Sequence, residues 1–94
     1  MLAEIIDVFL SDTPKLLSRI ERAITRGDAI RLKETAHQLK GSVGNFDSRQ
    51  VLEAVRKLEI LGREDRVADA GPAMRAVKAE IAKLSNSLRY LRKM

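Results

Sequence analysis

Val67, Ala70, Met74, Val77, Ile81, Leu84, Leu88 and Leu91 recur along the chain at spacings that alternate between 3 and 4. That alternation is the signature of one long helix with a single apolar seam. A seam of this length must be covered by other amphipathic elements, and the chain supplies them. Thr13 reads as an N-cap with Pro14 at the first helical position, followed by Leu16, Leu17, Ile20, Ala23 and Ile24. Gly27 ends that helix and Asp28 caps the next. Leu32, Ala36, Leu39, Val43 and Phe46 give a segment over residues 29–46. Asp47 or Ser48 caps a further helix, with Gln50 in capping-box position to Asp47. Its seam is Val51, Val55, Leu58 and Leu61, and Gly62 stops it. A first short helix covers residues 2–10, and Gly71-Pro72 kinks the last helix or sets its start. No segment alternates at period two. The expected fold is all-α: an antiparallel up-down four-helix bundle with a short extra N-terminal helix, one domain over residues 1–94.

Composition narrows the function classes. There is no cysteine and one histidine, so the usual zinc ligand sets are missing and no metal site is expected. The longest apolar runs are a few residues, which rules out membrane insertion. The first residues lack a basic n-region and an apolar h-region, so the expected compartment is the cytoplasm. This holds for a free-standing protein or for part of a larger one. The net charge is +5, with Lys and Arg dispersed among Asp and Glu. Dispersed charge favours a plain solvated surface or an acidic protein partner over nucleic acid.

The single histidine, His37, lies in "ETAHQLKGSVGNF" beside two glycines, Gly41 and Gly44. On a helical wheel centred on His37, Phe46, Leu39, Leu32 and Val43 all fall more than about 100° away. Ile30, Lys33, Lys40, Gly41 and Gly44 fall within about 60° of it. His37 is therefore expected to face solvent, with both glycines clearing side chains from its own face. Ile30 adds an exposed apolar residue to the same stripe. A lone surface histidine is ordinarily no more than that, and helix glycines can serve close packing. Packing explains this pair poorly, because both face away from the seam.

The chain has no second histidine or cysteine to build a nucleophilic triad, and "GSVGNF" lacks the spacing of a phosphate loop. One exposed imidazole does suit phosphoryl transfer, provided that a partner brings the metal and the acidic groups. Lys40, one turn on, can then offset phosphoryl charge.

"AHQLKGSVGNF" resembles the signature of histidine-containing phosphotransfer (HPt) domains, through Ala36, His37, Leu39, Lys40, Gly41, Ser42 and Phe46. The preceding "FLSDTPKLLSRIERAITRGDAIRLKETAHQLKGS" and the following "KLEILGRED" extend the resemblance over nearly the whole chain. It implies an up-down four-helix bundle that carries phosphate without kinase or phosphatase activity of its own. By the same resemblance His37 is the phosphorylated nucleophile, Lys40 the phosphoryl-stabilising lysine and Gly41 the access glycine. Ile30, Lys33, Gly41 and Gly44 are the expected partner-binding positions. The implied partners are receiver domains of response regulators or hybrid histidine kinases. No cofactor is expected on this chain; Mg2+ is expected on the receiver. Asp47 departs from the family's usual glycine, and Val43 from its usual small residue. The rival readings are a basic helical module that binds protein or nucleic acid, and a scaffold bundle built on the long seam, both without phosphotransfer.

Overall fold

The computed structural model describes residues 2–94. Four α-helices make up the fold: α1 (Leu2–Arg26), α2 (Ala29–Val43), α3 (Arg49–Arg63) and α4 (Ala70–Lys93). A single 3-10 turn, Val67–Asp69, leads into α4. Connections between helices are short, so sequence neighbours run antiparallel. Ion pairs fix the remaining contact: Glu21 meets Lys78 at 3.1 Å and Asp7 meets Arg92 at 3.0 Å, so α1 and α4 also run antiparallel. The result is an up-down four-helix bundle, 42 Å long and under 20 Å across.

The separate N-terminal helix does not exist. Residues 2–10 are the first turns of a continuous 25-residue α1 that passes straight through Pro14. The proline removes a single N–H from the ladder, while Ile6, Phe9, Leu16 and Ile20 bury one uninterrupted stripe on both sides of it. Thr13, expected to cap a helix here, is instead buried within α1, and its hydroxyl has no hydrogen-bond partner among the described residues.

Gly27 has φ +66° and ends α1, and the Asp28 carboxylate accepts the Arg31 backbone N–H at 3.0 Å, as the sequence suggests. The other boundaries shift. α2 ends at Val43, so Phe46 lies in the following turn, where its ring meets Phe9 edge-on at 5.0 Å. That contact pins the α2–α3 turn onto α1. Ser48 occupies the N-cap of α3 without a side-chain cap bond, so the capping box read from Asp47 and Gln50 is not formed. Gly62 does not stop α3; it is buried inside the last turn, and Asp65, with φ +56°, takes the left-handed position after it. Pro72 stands in the first turn of α4, two residues after its start, where no N–H is needed.

The core is aliphatic. Leu32, Ala36, Leu39 and Val43 of α2 have no solvent exposure, and Val55, Leu58 and Val77 meet them from α3 and α4. The seam begins at Val67 in the 3-10 turn and continues along α4 to Leu88, with Ser85 buried beside it. Leu91 falls outside it and is half exposed, because α4 there outruns the shorter α2 and α3.

Candidate functional site

The buried stripe of α2 turns its opposite face outward, and His37 stands on that face with 68% of its side chain exposed. α3 packs against α2 beneath it at very short range. At Gly62 an added Cβ would sit 2.6 Å from the Lys33 backbone nitrogen and 3.0 Å from the Ala29 carbonyl oxygen. Only glycine permits this approach. One turn earlier on α3, the same closeness brings Glu59 up under His37.

Glu59 is the residue the sequence reading missed. Its side chain is 5% exposed, and its Oε2 lies 2.8 Å from His37 Nδ1. Its Oε1 lies 2.6 Å from Lys40 Nζ, and Arg63 Nη2 approaches Oε2 at 3.5 Å. The Lys40 ammonium holds the Glu59 carboxyl below the usual carboxylate range; burial opposes this, and the His37 ring adds to the lowering. Ionised Glu59 can only accept hydrogen bonds. The proton between the two side chains therefore belongs to His37 Nδ1, which donates. Nε2 carries the lone pair in the neutral ring, and it has no partner among the described residues. A signal for Glu59 is present in the sequence: a carboxylate on the buried stripe of α3, four residues after Val55 and next to Leu58. A buried charge of this kind needs a partner.

Lys40 is only 31% exposed and is tied to Glu59. Lys33, Glu34, Gln38 and Arg63 line the groove that holds His37. Gly41 lies in an adjoining groove with Gln38, and a Cβ there would meet nothing within 4 Å. Gly44 is exposed but is the C-cap of α2 and not an interior helix position. It borders a different groove, with Phe46 and Arg56. Ile30 is 67% exposed, two turns from His37, and does not border the His37 groove. Among the described residues no cluster of three or more His, Asp or Glu stands where it could hold a metal ion. No described helix is long and apolar enough to cross a membrane.

The chain's fold is similar to that of histidine-containing phosphotransfer protein B (HptB) from Pseudomonas aeruginosa PAO1, seen in a crystal structure. The TM-score is 0.91 at 24% identity, over 97% of this chain and 79% of that one. No curated protein matches the chain. The model of the Hpt domain family matches residues 4–87, a span that contains His37, Lys40, Glu59 and Gly62. The chain belongs to the Hpt family, the histidine phosphotransfer domains of phosphorelays, which carry phosphoryl groups and are not kinases.

Proposed function

We propose that His37 accepts a phosphoryl group from the aspartyl phosphate of one receiver domain and passes it to another. The observation that carries this reading is the bond from His37 Nδ1 to ionised Glu59, which leaves Nε2 as the free nucleophile on an exposed helix face. In the forward step the Nε2 lone pair attacks phosphorus in line, the phosphorus–oxygen bond breaks, and the receiver aspartate leaves as carboxylate. Once Nε2 is substituted and Nδ1 keeps its proton, the ring carries positive charge, and Glu59 balances it from below. Transfer onward reverses these bond changes at the second receiver.

Lys40 has three N–H donors and is ion-paired with Glu59, which leaves donors to spare. Its partly exposed side chain is one helical turn from His37, within reach of phosphoryl oxygens. Gly41 leaves room for the receiver's loops, and Ile30, Lys33 and Gly44 extend the contact. The receiver brings Mg2+ and the acidic residues that hold it, so this chain supplies the nucleophile and a basic face. The cytoplasm, where receivers work, is the matching compartment. Transfer of label from a phosphorylated receiver to the wild type and to His37→Gln tests the reading.

A further inference from the structure

The phosphohistidine reading leaves a strongly charged surface unused. Arg19, Arg22 and Arg26 follow one another at spacings of 3 and 4 on α1, so they project as one stripe. With Arg31 of α2 they line a single groove. None of the four is paired with a carboxylate among the described residues. Other exposed cations do find partners, as in Lys78–Glu21 and Arg66–Asp69. Asp28, which also borders the groove, spends its carboxylate on the Arg31 backbone N–H. The groove continues toward the imidazole, because Arg19, Arg31 and Thr35 also line the groove that contains His37, Glu59 and Arg63.

We infer that this arginine groove is the second anchor point for the receiver domain, taking acidic side chains on the receiver's surface while His37 meets its aspartate. The inference rests on the phosphocarrier reading above. A single imidazole fixes a point and not an orientation, so a contact displaced to one side is what sets the receiver's rotation about it. Guanidinium groups suit that contact, since their planar forks bind carboxylates in two-bond geometry. Unpaired like charges side by side also raise the local potential and speed encounter with an acidic partner. Arg19 to Arg26 spans only about 10 Å of helix. That length suits two or three carboxylates on a folded protein and is short for the run of phosphates that nucleic-acid binding neutralises.

The test uses Arg22→Glu/Arg26→Glu and, as a control of equal charge change on α4, Lys83→Glu/Lys93→Glu. The probe is the phosphorylated receiver domain that exchanges phosphate fastest with the wild type in a panel. At about 0.05 M salt the arginine variant is expected to lose roughly tenfold in kcat/KM for transfer, with the control within about twofold. The deficit shrinks as salt rises toward about 1 M. Arg22→Gln/Arg26→Gln shows a smaller loss in the same direction. Phosphoramidate, whose phosphorus–nitrogen bond breaks to release ammonia as the bond to Nε2 forms, labels His37 equally in every variant. Equal receiver transfer by the arginine variant and the wild type overturns the groove while leaving the phosphocarrier reading intact. Absence of wild-type transfer from every receiver overturns that reading, and the groove with it. Duplex DNA bound by the wild type and released by the arginine variant assigns the groove to nucleic acid and overturns the inference.

Discussion

Glu59 of α3 reaches His37 of α2 across the helix interface, carboxylate Oε2 to imidazole Nδ1 at 2.8 Å. One member of the pair is buried and the other exposed. The buried partner therefore fixes the ring's orientation and its proton, while the exposed one is the group proposed above to carry the phosphoryl.

Glu59→Ala removes that bond and leaves the ring free to rotate and to exchange tautomers. A hydrogen bond to a charged group is worth about 1.5 kcal/mol or more, which corresponds to roughly a tenfold loss in transfer rate. Glu59→Gln keeps an acceptor for Nδ1–H and is expected to fall between wild type and Glu59→Ala. Rapid-quench transfer from one receiver to the three proteins checks the order. Identical rates would reduce Glu59 to a structural residue.

The same carboxylate makes stability depend on pH. Lys40 chiefly, with His37 adding and burial opposing, holds the folded-state pKa of Glu59 below its ordinary 4.5. A depressed carboxyl contributes stability that is fully present above the unfolded value and is lost as pH falls through the lower folded value. The stability gap between wild type and Glu59→Gln should thus be widest near neutral pH and close below pH 4.5. Denaturant titrations of the two proteins from neutral pH into the acid range measure it. A gap that widens on acidification would contradict the assignment.

Gly62→Ala drives a Cβ to within 2.9 Å of Lys33 Cα and 2.6 Å of its nitrogen. Both are backbone atoms, so α2 has to move away from α3. Overpacking of this kind costs about 1–3 kcal/mol, and it also separates His37 from Glu59. Thermal melts and receiver transfer should decline together. Gly41→Ala, where a Cβ meets nothing within 4 Å, should leave the melt nearly unchanged, apart from the small helix-propensity gain over glycine.

Ile30→Asp should weaken receiver binding and leave the melting temperature within a degree or two, since Ile30 is 67% exposed and is not part of the buried core. Titration calorimetry with the receiver reads the first and circular dichroism the second. An unchanged affinity removes Ile30 from the interface.

The sequence was most informative where periodicity was strict. The α4 seam and the outward placement of His37 follow from spacing alone, since a helix converts position into direction. It misled where a local signal lost to tertiary packing. Thr13-Pro14 carries the marks of a helix start, yet the buried stripe on both sides of it makes a continuous α1 the better packed solution. Gly62 carries the mark of a helix stop, but its absent side chain serves the contact with Lys33. A wheel of α2 does not reveal Glu59, because it says nothing of what α3 brings beneath it. Its role depends on a contact 22 residues away in sequence.

The most direct test of the account is transfer from a radiolabelled phospho-receiver in the presence of Mg2+. The wild type is expected to take up an acid-labile, base-stable label that a second receiver then removes, and His37→Gln to take up none. Equal labelling of the two proteins would contradict the account.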